Sequence, residues 1–197
     1  MKIFLATGNR HKIDEIKAIF SEISKEKNIE ILSIKDGIEI PDVVEDGKTF
    51  EENSQKKATE IAKFLNMIAI ADDSGLCVDI LNGEPGVYSA RYSGEGTDEA
   101  NNRKLIKNLQ GKANRKARFV SVISIAKPDG KVFSFRGEVQ GEIVDEKRGD
   151  TGFGYDPHFY IEEYKKTLAE MPEIKNKISH RAKALEKLKE NLEYILF

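Results

Sequence analysis

The apolar positions change period several times along the chain. Lys2 to Ala6 is a short apolar run that ends at Thr7-Gly8-Asn9, after which Ile13, Ile16, Ile19, Phe20 and Ile23 recur at helical spacing. This predicts strand, loop, helix. Ile29 to Ile34 reads as a second strand and Pro41 to Gly47 as an acidic loop. From Thr49 a helix is expected, with Phe50, Ala58, Ile61, Ala62 and Leu65 on its buried side and Thr49 with Glu52 as a capping box. Met67 to Ala71 is expected to be a buried strand that stops at Asp72-Asp73-Ser74-Gly75.

Further on, Asn82-Gly83 and Pro85-Gly86 signal turns and Thr97 to Leu109 has helical character. Phe119 to Ala126 and Lys131 to Val139 flank Pro128-Asp129-Gly130 as the strands of a hairpin would. From Ser179 to Ile195, the residues Ala182, Leu185, Leu188, Leu192 and Ile195 share one face of a helix. Helices bracketing several strands, with a late hairpin, predict an α/β fold with a mixed sheet. A length of 197 residues suits a single domain over 1–197, large enough to bury a sizeable core.

Composition narrows the chemistry. No apolar run approaches the roughly 20 residues that span a bilayer, and the first residues are too weakly apolar for a secretory signal, so a cytoplasmic protein without a membrane partner is expected. The single cysteine, Cys77, excludes an intramolecular disulfide and a thiolate zinc cluster. A net charge of −2 gives no bulk attraction for nucleic acid, so phosphate chemistry has to be local.

Several segments carry candidate chemistry. Thr7-Gly8-Asn9-Arg10-His11-Lys12 joins a strand to a helix, where free N–H groups and the helix dipole favour an anion and Lys12 adds a charge. An ordinary turn would use the same residues. Asp72 and Asp73 at a strand end offer oxygen ligands and a base for magnesium-assisted hydrolysis; either could instead cap the turn. Glu45 and Asp46 offer another ligand, or a solvated loop. Phe153 and Tyr155 stand among glycines, either to stack on a flat base or to pack as core aromatics. Lys175, His180 and Arg181 lie at or before the last helix, with donors for a base carbonyl or a phosphate oxygen, or as a charged helix face.

Five blocks, taken in order, make the chain resemble the inosine triphosphate pyrophosphatase family, whose members cleave non-standard purine nucleotides. They are ATGNRHKIDEI (6–16), EDGKTFEENSQKKA (45–58), ADDSGLCVDILNGEPGVYSARYSG (71–94), TGFGYDPHF (151–159) and KTLAEMPEIKNKISHRAKAL (166–185). Ser54 stands where the family usually has alanine, and Ala182 where it has glycine. The resemblance implies an elongated two-lobed α/β protomer with a central mixed sheet, usually paired as a homodimer. It implies that Thr7, Gly8, Asn9, Arg10, His11, Lys12 and Lys57 handle the triphosphate, that Glu45 and Asp73 hold Mg²⁺, and that Asp73 is the base. Ser74, the block Phe153, Gly154, Tyr155 and Asp156, and Lys175, His180 and Arg181 are implied to bind the nucleotide, while Asp72 has no assigned role. Two other readings use the same residues: a nucleotide sensor without turnover, and a Maf-type pyrophosphatase that prefers modified pyrimidines.

Overall fold

A computed structural model describes residues 1–196, with the side chains of Glu22 and Ile23 outside that description; the place expected for Ile23 on the first helix therefore lies outside the described residues. In chain order the main elements are β1 (Lys2–Leu5), α1 (Arg10–Glu26), β2 (Glu30–Leu32), α2 (Phe50–Leu65), β3 (Ile68–Val78), α3 (Asp98–Leu109), β4 (Lys116–Ala126), β5 (Val132–Ile143), β6 (Phe159–Ile161), β7 (Lys166–Thr167), α4 (Pro172–Ile178) and α5 (His180–Leu196). The strands form one seven-stranded sheet in the order β2-β1-β3-β4-β5-β6-β7. β1 runs parallel to β2 and β3, whereas β6 is antiparallel to both β5 and β7, so the sheet is mixed as expected. β4 and β5 are sheet neighbours joined at Lys127–Lys131, where Lys127 N–H bonds the Lys131 carbonyl; a link this short requires a hairpin.

The chain divides into two compact units, and β3, β4 and β5 each give one half to each. The first unit contains 1–73, 121–137 and the chain from Arg181 onward. Its core lies in two clusters that follow the strand period of two. Ile3, Leu5 and Ile70 meet Ile13, Ile16 and Phe20 of α1 and Leu185, Leu188 and Leu192 of α5. Phe4, Ala6, Ala69 and Ala71 belong to the other cluster, with Ala58, Ile61 and Ala62 of α2. Alternation along β1 and β3 thus sends odd and even positions to different helices.

α2 starts as its sequence predicts: Thr49 Oγ1 accepts from Glu52 N–H and the Glu52 carboxylate accepts from Thr49 N–H. Under this helix lies a run of hydroxyls, in which buried Ser54 and Ser124 share a hydrogen bond of 2.6 Å and Ser124 and Ser134 another of 2.8 Å. Ser54 Oγ also donates to the Glu51 carbonyl, and Gln55 Nε2 donates to Ser134 Oγ. The second unit, 74–120 and 138–180, is centred on Leu76, Leu105, Leu109, Phe119, Phe159 and Leu168.

One element departs from expectation. β3 does not stop at Ala71 but continues through Asp72-Asp73-Ser74-Gly75 to Val78. Asp and Gly disfavour strands locally, yet Leu76, Cys77 and Val78 are buried and both carboxylates have partners, so tertiary context overrides propensity. Breaking the α2 cap should be felt globally: Thr49→Ala is expected to cost about 1 kcal/mol, read as a lower urea midpoint at unchanged slope. A midpoint equal to that of the parent would mean that the cap is dispensable.

Candidate functional site

Because β3 runs through both aspartates, their side chains leave on opposite faces. Asp72 has the parity of Ile70 and meets residues on the side of α1 and α5. It is 0% exposed. Its Oδ2 lies 2.7 Å from Lys12 Nζ and 3.2 Å from Arg181 Nη2, while Ser121 Oγ donates to Oδ1 at 2.5 Å. Arg181 Nη1 in turn pairs with Glu15. Burial acts to raise the Asp72 pKa, but the charges of Arg181 and Lys12 outweigh it and hold the carboxyl well below its usual range. Arg181 is likewise opposed by burial and kept charged by Asp72 and Glu15.

Asp73 has the parity of Ala69 and Ala71 and faces the side of α2. Asn53 and Lys57 stand one helical turn apart on α2. Asn53 Nδ2 donates to Asp73 Oδ2 at 3.0 Å, and Asn53 Oδ1 accepts from Gly47 N–H at 2.8 Å, so one amide joins the carboxylate to the acidic loop. Gly47 has to be glycine there, since a Cβ would sit 2.6 Å from that oxygen. Lys57 Nζ donates to Glu45 Oε1 at 2.5 Å and to the Asp72 carbonyl at 3.1 Å. Burial pushes the Asp73 carboxyl up to about 6, with Lys12, Lys57 and the Asn53 bond pulling down and Glu45 adding a push upward.

The loop before α1 completes this group. Asn9 Oδ1 accepts from Lys12 N–H and Thr7 Oγ1 from Asn9 N–H, which shapes the helix entry. Gly8, Asn9, Arg10 and His11 are exposed, and Thr7 is buried. The loop stands at the N-terminus of α1, where the positive end of the helix dipole favours an anion.

The remaining expected residues lie in the second unit. Asp156 Oδ2 accepts from Phe153 N–H at 3.0 Å and from Lys175 Nζ at 2.7 Å, and Lys175 Nζ lies 4.8 Å from the Phe153 ring centroid. Tyr155 Oη donates to the Ser89 carbonyl at 2.7 Å, and burial raises its pKa. His180 stacks on Phe119 with centroids 4.8 Å apart. Gly152 combines a φ of 78° with the Asp156 carboxylate where a side chain would begin, so no other residue fits. The Gly154 peptide is clamped by α3: its N–H bonds Asp98 Oδ2 and its carbonyl accepts from Asn102 Nδ2. Phe153 and Gly154 line a cleft of about 820 Å³ together with Asn102, Lys107, Pro157 and His158. Ser74 is half-buried on β3.

The structure therefore gathers Lys12, Glu45, Lys57, Asp73 and the 7–12 loop in one unit, and Phe153 to Asp156 with Lys175 and His180 in the other. Arg181 falls with the first group, through Asp72 and Glu15. Sequence reasoning missed Asn53, Ser121, Glu15, Asp98 and Asn102. Asn53 had a signal, its position one turn before Lys57, but no residue-type rule singles out a buried amide as the mate of a distant carboxylate.

The elevated pKa of Asp73 has a cost in stability. A folded value of about 6 against 3.8 for the free carboxyl means that the folded protein binds the extra proton between these values. Stability consequently falls as pH rises through that window and stays reduced above it. In chelator at pH 8, Asp73→Asn is expected to be more stable than the parent by roughly 3 kcal/mol, the equivalent of about two pKa units. The gap should close below about pH 4. Thermal melts at the two pH values check this, and a parent at least as stable as the variant at pH 8 would contradict it.

Comparison with known proteins places the sequence and the fold in one family. The model of the Ham1 family matches residues 3–191. A dITP/XTP pyrophosphatase of Desulfotalea psychrophila is 54% identical over 95% of this chain and 83% of its own. One from Clostridium perfringens is 52% identical over 99% and 98%. The solved structure of the Staphylococcus aureus Ham1 protein superposes with a TM-score of 0.87 at 46% identity, covering 99% of this chain and all of that one. A family match over residues 3–191, about half the sequence identical over nearly the whole length and a shared fold leave one assignment: the chain belongs to the Ham1 family.

Proposed function

We propose that this chain hydrolyses non-standard purine nucleoside triphosphates, those of inosine, deoxyinosine and xanthosine, to the monophosphate and pyrophosphate. The observation that carries the reading is Asp73, a buried carboxyl raised to about 6 and flanked by Lys12, Lys57 and Glu45. A group poised near neutrality is suited to accept a proton from water. The names borne by the relatives from Desulfotalea psychrophila and Clostridium perfringens agree with this substrate class.

The donor chemistry fits magnesium. Asp73 and Glu45 are hard oxygen donors whose charges oppose one another, a strain that a small divalent cation relieves. Among the described residues no cluster of three or more acidic, His or Cys side chains is gathered for a metal. Magnesium needs only one or two carboxylates, the rest of its shell being water and phosphate. Bound there, the ion supplies charge neutralisation on the phosphates and a more acidic water. Lys12, Lys57 and Arg181 face Asp72, Asp73, Glu15 and Glu45, so with Asp73 ionised the carboxylates outnumber the cations and a polyanion requires added positive charge.

In the reaction, Asp73 accepts the proton of the attacking water, whose oxygen bonds to the α-phosphorus as the bond from that phosphorus to the α–β bridging oxygen breaks. Lys12, Lys57 and the N–H groups of the 7–12 loop stabilise charge on the departing pyrophosphate. Ser74 is assigned to substrate contact. Phe153 supplies a stacking face, and Asp156, Lys175 and His180 supply polar groups for a purine. No described helix is long and apolar enough to cross a membrane; a cytoplasmic homodimer is what the resemblance to the inosine triphosphate pyrophosphatase family implies.

A triphosphate panel with separate detection of phosphate and pyrophosphate tests the reading. Inosine triphosphate with magnesium should yield pyrophosphate and monophosphate in equal amounts, with adenosine triphosphate and modified pyrimidine triphosphates far slower. Excess chelator should abolish turnover, and Asp73→Asn should lower kcat by ~10²- to 10⁴-fold while remaining folded. Release of orthophosphate alone, preference for a pyrimidine, or binding without turnover would each overturn the assignment.

A further inference from the structure

Asp72 is buried, charged and outside the proposed proton transfer, yet it meets three of the cations of this group. Its carboxylate touches Lys12 and Arg181, and its main-chain carbonyl accepts from Lys57. We infer that Asp72 is a positioning residue that fixes Lys12 for a phosphate chain at the entry of α1; the inference rests on the reading of this group as the phosphate site.

Exposure within the group separates the working residue from its mount. Side-chain exposure is 0% for Asp72, 1% for Arg181 and 9% for Glu15, but 15% for Lys12, so of these four Lys12 is the one that reaches solvent best. A lysine carries a flexible four-carbon stem, and an ammonium that must meet a phosphate gains from being held beforehand. Asp72 does this with an oxygen 2.7 Å from Nζ. The carboxylate is itself immobile: Ser121 Oγ holds Oδ1, and Arg181, anchored by Glu15, holds Oδ2 from a second direction. Two carboxylates balance two cations, so the arrangement carries no net charge into the interior. Strand parity explains why this is Asp72 and not Asp73. Ser121 has the parity of Ile123 and Ile125 on β4, and all three share with Ile70 the side on which α1 and α5 pack.

A simple counter-ion for Arg181 would look similar in the folded chain, and a double-mutant cycle separates the two roles. Asp72→Asn, Lys12→Ala and the double variant are compared by kcat/KM on inosine triphosphate and by the calorimetric Kd for inorganic tripolyphosphate in magnesium. If Asp72 acts through Lys12, Asp72→Asn should lower both quantities by on the order of tenfold in the parent and by less than about twofold in the Lys12→Ala background. Because Asp72→Asn leaves Arg181 short of one anion and can impair folding, Ser121→Ala provides a second cycle. It loosens the carboxylate without altering any charge, and its smaller loss should likewise vanish when Lys12 is absent. Equal factors in both backgrounds, or a parent that binds no tripolyphosphate, would overturn the inference. A parent that binds tripolyphosphate but leaves inosine triphosphate intact would instead refute the proposed reaction, with the binding cycle still deciding on Asp72.

Discussion

Everything at the proposed phosphate site depends on the alternation of side chains along one uninterrupted strand. β3 carries Asp72 and Asp73 in adjacent positions and sends them to opposite faces of the sheet. Side by side in a turn, two carboxylates would contend for the same cations and raise one another's pKa. On opposite faces they acquire different hydrogen-bond partners, although Lys12 acts on both. Asp72 meets a serine and two cations and stays ionised, whereas Asp73 meets an amide and remains near neutrality. One dipeptide thus provides a permanent anion and a carboxyl poised near neutrality without any difference in residue type.

This division has energetic consequences of opposite sign. The Asp72 group is electrically balanced and hydrogen-bonded, which removes most of the penalty of burying its charges. Asp73 is held by Asn53 but opposed by Glu45 and by burial, so ionising it works against the fold. Proteins often give up stability where a reactive group has to be kept out of its relaxed state. Here the cost is confined to one carboxyl because the neighbouring strand position is neutralised.

Much of this was legible in the sequence, for physical reasons that differ by element. α1, α2 and α5 were readable because each buries one stripe at helical spacing, and α2 also showed both halves of its cap. β6, β7 and α4 have three, two and seven residues, too short for any period to rise above the surrounding pattern. The extent of β3 was misjudged because Asp-Asp-Ser-Gly has the local chemistry of a turn, and the partners that keep it extended come from α1, α2, β4 and α5. Lys12, Lys57 and Glu45 were expected from their blocks and lie around Asp73. Asn53, Ser121 and Glu15 were not, because a buried polar residue gains its meaning only from the partner it meets in space.

The hydroxyls beneath α2 bear on how this sequence can have diverged. Ser54 occupies a position where the family resemblance leads one to expect alanine, and an added hydroxyl in a closed interior normally strands an oxygen. In this chain Ser124 already has Ser134 as a partner, and the Glu51 carbonyl lies within reach of position 54. A serine there meets hydrogen-bond partners already in place, and an alanine would still leave Ser124 bonded to Ser134. Position 54 can therefore carry alanine or serine with no second substitution needed to accommodate the change.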